Sequence, residues 1–409
     1  MANNKVITFG CRLNSYESAV ITKHLKEQQL NNTIVINSCS VTAEAERQAR
    51  QTIRKLKRTH PNHKIIVTGC AAQNNPKQFT AMKEVNQVLG NHDKLQSSTY
   101  RNHEKVVVND IMTVKTNSLH LIESFDQKTR AFLQVQNGCD HRCTFCNIPY
   151  ARGNSRSVPL GEIVAQVKQL VYNDYQEIVL SGVDISAYGQ DLPGKPTLGR
   201  IMHRLLELVP ELPRLRLSSI DVAEIDADLL NLLKTQPRFM PYFHISMQAG
   251  NDMVLKRMKR RHSRQDIIDF CQQVKSIRPH IALGADIIAG FPTETEAMFN
   301  ETHELIAETG IAYLHVFPYS PRRNTPASRM PQVAANIRKE RAKQLRQLGL
   351  INLKQFLQTH VGTEQLVLVE SNNLGRTETN AEVVLSNSYA PGSIIKTTIK
   401  SVNNKQLVA

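Results

Sequence analysis

The chain reads as an α/β protein in three parts: an N-terminal open parallel α/β domain, a central incomplete (β/α)6 TIM-like barrel, and a small C-terminal antiparallel β-barrel. Three observations lead there. Short β-branched runs alternate with helical patterns over residues 5–68, six strand–helix units follow between 131 and 317, and residues 364–408 hold five short strands separated by turn signals. Strand–helix alternation predicts a parallel sheet covered by helices, whereas closely spaced short strands predict antiparallel pairing. The expected boundaries are 1–120, 121–332 and 333–409.

In the first part, residues 5–9, 33–37 and 64–68 read as strands, with helices from Ser15 and over 43–57. From 95 to 128 the periodicity weakens. Ser97-Ser98-Thr99 and Asn117-Ser118 mark turns around short strands at 106–108 and 118–122. The central strands fall at 131–135, 177–180, 214–218, 242–247, 281–288 and 312–317, and helices at 160–172, 198–209, 227–235, 264–277 and 294–309. Residues at the carboxyl ends of such strands line the site of a barrel of this kind. A basic amphipathic helix over 333–358, with Ile337, Leu345, Leu348 and Phe356 inward, leads to strands at 364–370, 376–379, 382–385, 394–401 and 406–408. Small barrels of that format commonly bind nucleic acid.

Hydrophobic residues at 41% and charged ones at 21% match an ordinary globular protein, which excludes a disordered chain. A net charge of +15 is not ordinary and favours a polyanionic partner. No apolar run approaches the roughly 18 residues of a membrane-spanning helix, and a strand stands where a signal-peptide core would lie. The expected location is the cytoplasm, with no membrane partner.

Seven cysteines, an odd number, argue against a disulfide framework and for metal or redox use. Cys139, Cys143 and Cys146 stand at C-x3-C-x2-C spacing in Asn137-Gly138-Cys139-Asp140-His141-Arg142-Cys143-Thr144-Phe145-Cys146, just after an apolar run. Three thiolates in so short a loop can hold three irons of a [4Fe–4S] cubane, leaving the fourth open to a small molecule. A zinc knuckle is the alternative, but zinc wants a fourth ligand and His141 is too close in sequence to supply it comfortably. Cys11, Cys39 and Cys70 each follow a predicted parallel strand, so the three should meet at one sheet edge as a second triad. Cys271, inside a helical pattern, reads as a buried small hydrophobe.

The first triad, with Phe145 directly before its third cysteine, resembles the signature of the radical S-adenosylmethionine (SAM) enzymes. Thr8-Phe9-Gly10-Cys11-Arg12-Leu13-Asn14-Ser15-Tyr16-Glu17-Ser18, Asn37-Ser38-Cys39-Ser40-Val41-Thr42 and Val67-Thr68-Gly69-Cys70-Ala71-Ala72-Gln73 are similar to the N-terminal domain of the methylthiotransferases within that superfamily. Gly375-Arg376-Thr377-Glu378-Thr379-Asn380 and Pro391-Gly392-Ser393-Ile394-Ile395-Lys396-Thr397 resemble a TRAM RNA-binding module. The resemblance covers essentially the whole chain. It implies two [4Fe–4S] clusters, SAM as radical source and methyl donor, and tRNA, bound through its anticodon stem-loop, as substrate. A low-potential electron donor of flavodoxin or ferredoxin type is implied too, with the sulfur source open.

By the same resemblance, Gly182 and Val183 would bind the methionyl amine of SAM. Phe145 and Phe317 would flank its adenine, and Ser218 and Gln248 would face its pocket. Lys256, Arg257, Lys259, Arg260 and Arg261 form a basic run, suited either to phosphate contact or to a solvated helix end. Arg152 and Arg156 are expected to hold the RNA backbone or a substrate carboxylate. His244 and His315 read as packed or hydrogen-bonded strand residues. The family often carries Gly-Glu after Phe-Pro; here Pro292-Thr293-Glu294 reads as a conservative change, with Thr293 as a helix N-cap. The cassette around Cys11 resembles the MtaB type, acting on N6-threonylcarbamoyladenosine, more than the MiaB type. The MiaB type, acting on isopentenyladenosine, and the RimO type, acting on a ribosomal-protein aspartate, are the alternatives. A non-catalytic iron–sulfur RNA-binding protein is the alternative of a different class.

Overall fold

A computed structural model describes residues 4–116 and 129–409; the strand expected at 118–122 lies outside the described residues. The first sheet is parallel, with strands in chain order: β1 (Lys5–Thr8), β2 (Thr33–Ser38), β3 (Lys64–Gly69), β4 (Gln87–Leu89) and β5 (Val106–Val107). β2 is buried on both faces, which is why it reads as an uninterrupted Thr-Ile-Val-Ile run rather than an alternation. One sheet face packs Val35, Ile66 and Leu89 against Ile21 and Leu25 of α1 (Arg12–Glu27). The other packs Ile34, Ile36, Ile65 and Val67 against Ile53 of α2 (Ala43–Thr59) and Phe79 of α4 (Pro76–Thr80), beyond the short α3 (Cys70–Asn74). The opposite flank of α1, with Tyr16 and Val20, belongs to the central core beside Ala131 and Leu133. That helix is therefore the wedge joining the first domain to the second.

The central strands are β6 (Arg130–Gln134), β9 (Glu177–Ser181), β10 (Arg214–Leu217) with its continuation β11 (Ser219–Ile220), β12 (Tyr242–Gln248), β13 (Ala282–Ala289) and β14 (Tyr313–Pro318). All neighbours pair in parallel and in sequence, giving an open barrel of six strands, with a break at Ser218. Between β6 and β9, the antiparallel pair β7 (Gln136–Asn137) and β8 (Arg156–Ser157) closes the base of the first cysteine loop, which carries α5 (Ile148–Arg152). Outside the barrel run α6 (Leu160–Tyr172), α7 (Leu198–Leu208), α8 (Ala227–Thr235), α10 (Arg264–Ile277) and α11 (Glu296–Thr309), while α9 (Asp252–Met258) packs with Phe145 and Phe291 beside the first cysteine loop. Odd positions of β6 (Ala131, Leu133) face those helices, so even ones (Arg130, Phe132, Gln134) face the interior.

The last part begins with α12 (Ala335–Gln358), followed by β15 (Glu364–Ser371), β16 (Leu374–Thr377), β17 (Glu382–Val384), β18 (Ile394–Thr398), β19 (Ser401–Asn403) and β20 (Gln406–Val408). Two expectations change here. The stretch 394–401 splits into two strands, and β17 pairs β20 in parallel within an otherwise antiparallel sheet. On α12, Ile337 is exposed while Arg341 is buried against Glu294 (2.7 Å) and Glu296 (2.8 Å). Arg214 donates to the Leu366 carbonyl and Arg216 to that of Glu378, each at 3.0 Å. These contacts set the last domain against the amino ends of the barrel strands.

Thr293 is not the N-cap of α11. Thr295 caps it, accepting from the Met298 N–H, while Thr293 sits at φ +68°. Glycine is at ease there and a β-branched residue is not. Thr293→Gly is expected to stabilise the protein by about 1 kcal/mol, read as a higher urea midpoint at unchanged slope.

Candidate functional site

Register fixes where the first three thiols go. Thr8 stands opposite Asn37, and Ser38 opposite Gly69, so the carboxyl ends of β1, β2 and β3 are level. Cys11, Cys39 and Cys70 lie just beyond them. Gly10 and Gly69 both hold φ +94°; a Cβ on Gly10 would come within 2.6 Å of Cys39 Sγ, and one on Gly69 within 2.2 Å of the Ser38 carbonyl oxygen. Glycine before the cysteine is thus what lets the strand ends close up. Cys11 is exposed, and Cys39 and Cys70 are buried. The Val41 N–H reaches Cys39 Sγ at 3.4 Å, and the Asn91 amide reaches Cys70 Sγ at 3.6 Å.

Cys139, Cys143 and Cys146 are half-buried on the loop between β7 and β8. The Cys139 N–H donates to the Gly153 carbonyl at 3.0 Å, which anchors the loop's start. Cys139 Sγ lies 3.4 Å from Asp184, Arg260 Nη1 lies 3.6 Å from Cys143 Sγ, and the Ile148 N–H points at Cys146 Sγ at 3.4 Å. Burial pushes the Cys39 and Cys146 thiols up to about 12. Holding these groups as thiolates therefore calls for a bound positive charge.

The two triads are neighbours. Asn91 also donates to the Ala151 carbonyl (2.7 Å), so one side chain spans from Cys70 to α5, and Ser40 reaches Asn147 at 3.4 Å. Between them lies Arg152, bonded to Glu17 (2.8 Å), Asn14 (2.7 Å) and Asn137 (3.2 Å). Lys94, completely buried, pairs with the same Glu17 at 2.6 Å. Burial disfavours the Arg152 cation, but Cys70, Glu17 and Cys11 more than offset it.

Arg152 and Arg156, expected to hold the RNA backbone or a substrate carboxylate, are both buried. Arg152 is enclosed in the network between the triads, and Arg156 is buried, donating to the carbonyls of Arg152 (2.8 Å) and Asn154 (2.7 Å). The basic run divides similarly. Lys256 and Lys259 are exposed, whereas Arg257 donates to the Thr293 carbonyl (3.3 Å), and Arg260 turns inward to Cys143, Asp221 (2.8 Å) and the Ser246 carbonyl (3.1 Å). Arg261, partly exposed, pairs with Glu224 at 2.6 Å and Asp221 at 3.3 Å. His141 joins this network as an ion pair with Asp184 (3.0 Å) and Glu224 (3.4 Å), and these carboxylates raise it to about 10.

The residues expected around SAM lie at the cysteine end of the barrel. A Cβ on Gly182 would come within 2.8 Å of Gln136 Oε1, the acceptor for the N–H groups of Val183 and Asp184, both at 2.9 Å. These two donors are taken, and an ammonium needs carbonyl acceptors instead. Ser218 Oγ, at the break between β10 and β11, is buried with no hydrogen-bond partner among the described residues. Gln248 ends β12 at φ +67° beside a register shift. Phe145 packs edge-on to Phe291 at 6.4 Å, and Phe317, on β14, is exposed. His244 and His315 both bond Asp286, at 2.9 and 3.3 Å, while the Tyr242 hydroxyl meets His244 Nδ1 at 3.1 Å. The carboxylates Asp184, Asp221 and Asp286 were missed by sequence reasoning; Asp184 and Asp221 lie just past strand ends, which was the available signal, whereas Asp286 stands inside β13.

The donor set discriminates between metals. Among the described residues, the His, Cys, Asp and Glu ligand atoms that close to within 4.8 Å of one another form two groups, and neither contains a cysteine. Sulfurs on a single tetrahedral zinc stand about 3.8 Å apart. Both triads are wider than one ion needs and suit a polynuclear cluster, and the orphaned Ser218 hydroxyl fits a polar ligand in the barrel.

Comparison with known proteins accords with this layout. Residues 133–306 match the radical SAM superfamily and residues 3–90 the uncharacterized protein family UPF0004. The chain is 56% identical over 97% of its length to the threonylcarbamoyladenosine tRNA methylthiotransferase MtaB of Rickettsia prowazekii, covering 95% of that protein. It is 35% identical over 96% of its length to the Aquifex aeolicus protein of the same name, covering 98% of it. Among solved structures, the radical SAM methyltransferase TsrM of Kitasatospora setae superposes with a TM-score of 0.57 at 13% identity, over 80% of this chain and 74% of that one. That likeness concerns the fold.

Proposed function

The chain belongs to the MtaB-type methylthiotransferases of the radical SAM superfamily, and from that membership we propose how its own residues divide the work on tRNA. The reaction places a methylthio group on C2 of N6-threonylcarbamoyladenosine next to the anticodon, with SAM and a [4Fe–4S] cluster as cofactors. Cys139, Cys143 and Cys146 would hold the cluster that binds SAM, and Cys11, Cys39 and Cys70 would hold a second one. When bound, the first would supply the electron for reductive cleavage of SAM, and the second would supply the sulfur. An aryl C–H bond needs a radical because no side-chain base could remove that proton.

The remaining roles fall to protein groups. Arg260, 3.6 Å from Cys143 Sγ, and Arg152, bridging α1 and α5, offset negative charge at the two triads. Ser218 offers its unpaired hydroxyl, and Gln248, Gly182 and Val183 border the same strand ends. Phe145 and Phe317 provide apolar surface for an adenine. Exposed Lys256 and Lys259 are the members of the basic run free to meet phosphate. The first domain would donate sulfur, the barrel generate the radical, and the last domain hold RNA. A flavodoxin- or ferredoxin-type donor and a cytoplasmic location go with this reading; among the described residues no helix is long and apolar enough to cross a membrane.

The observation that carries the assignment is the second cysteine triad next to the first, on a chain 56% identical to a named relative over nearly its full length. Mass spectrometry of tRNA nucleosides from a deletion strain tests it. Loss of the methylthio derivative of threonylcarbamoyladenosine alone is expected; loss of the isopentenyladenosine derivative instead would overturn the substrate.

A further inference from the structure

The floor of the barrel holds more guanidinium groups than carboxylates to meet them. Arg216 takes both oxygens of Glu177, at 2.9 and 3.0 Å. Arg130 pairs with Glu370 at 2.7 Å and approaches Glu177 at 3.6 Å. Arg12 is left over. It is half-buried, lies over the Phe132 ring at 5.4 Å, and makes no hydrogen bond or ion pair among the described residues. Phe132 faces the barrel interior, so the Arg12 guanidinium does too. A half-buried cation that faces the barrel interior without a carboxylate partner is a site for an anion.

Its place in the chain says which anion. Arg12 directly follows Cys11, so its backbone lies at the sulfur-side triad while its side chain reaches into the barrel. On the nucleoside, the N6 substituent lies two ring bonds from C2, and a threonylcarbamoyl group ends in a carboxylate. A base presenting C2 to the second triad would swing that carboxylate across the barrel interior, within one side-chain length of Cys11. Guanidinium and carboxylate match as a two-pronged, charge-assisted pair, and Arg152 and Arg156 are both already engaged.

We propose that Arg12 binds the threonyl carboxylate and makes the enzyme prefer threonylcarbamoyladenosine over adenosines with a neutral N6 group. The inference rests on the substrate assigned above and names the residue that reads it.

The test uses the full chain with reconstituted clusters and three anticodon stem-loops, carrying threonylcarbamoyladenosine, its neutral carboxamide analogue, or plain adenosine. Wild type is expected to bind the acid about ten- to a hundredfold more tightly than the amide. Arg12→Gln should bring that ratio close to one, and Arg12→Lys should keep part of it. Equal wild-type affinity for acid and amide overturns the proposal, as does an Arg12→Gln protein that keeps the ratio. Should Arg12→Gln lose iron because Cys11 is adjacent, the wild-type comparison decides alone. A wild-type enzyme that puts no methylthio group on the threonylcarbamoyl stem-loop overturns the substrate assignment itself, and does so separately from Arg12.

Discussion

A Cys39→Ala enzyme is expected to go on cleaving SAM while adding no sulfur to tRNA. Cys39 lies just past the end of β2, buried, on the sheet edge that also carries Cys11 and Cys70. Removing one of three thiolates leaves too few ligands for a cluster there, so iron should fall from about eight to about four atoms per chain. The other triad has its own supports. The β7–β8 pair closes its loop, Gly153 anchors its start, and Arg260 reaches Cys143 from α9's far end. None of these depends on Cys39. Release of 5′-deoxyadenosine should therefore persist, while the methylthio nucleoside disappears from the product. Cys271→Ala is the control: that thiol is buried in the barrel core, and its loss should leave iron content and product unchanged. Full methylthiolation by Cys39→Ala would refute the division of labour between the triads.

What the sequence made legible were features with local signals. A strand followed at once by a cysteine, three times over, gave both the sheet and its functional edge, because register between parallel strands levels their ends. The six barrel strands were readable because each is an apolar-rich run bounded by a helix, even β14, of which only Val316 is buried. β4 was not, since three residues carry no usable period. The charged residues misled most. Arg152, Arg260 and Arg341 look like surface cations in sequence, yet their partners are Glu17, Asp221 and Glu294, which lie 135, 39 and 47 positions away. Nothing local announces such a pairing, and a +15 chain invites the opposite reading. Arg12 was quoted inside a motif and given no task, because its direction depends on how α1 wedges between two domains.

That wedge is also where the chain is most vulnerable. Glu17 is fully buried on α1 and accepts from Arg152 on α5 and from Lys94, itself completely buried. Burial by itself would raise the Glu17 pKa, but the Arg152 and Lys94 charges outweigh it and hold the group ionised. Glu17→Gln keeps the shape and removes the charge, leaving two cations unpaired in a dry interface. Breaking a buried pair in this way costs about 3–5 kcal/mol, far above the effect of a surface substitution. The expected result is a large drop in the urea midpoint and, in the surviving folded protein, methylthiolation reduced more than SAM cleavage. The second effect follows from position: α1 begins immediately after Cys11 and α5 almost immediately after Cys146, so loosening their contact shifts one triad relative to the other without dismantling either. Replacing all three charges with apolar residues, as Glu17→Leu with Lys94→Met and Arg152→Met, removes the unpaired cations and should recover most of the stability. It should not recover methylthiolation, because the Arg152 cation beside Cys70 and Cys11 is then gone. Stability and activity that rose together in the triple variant would mean the network serves packing alone.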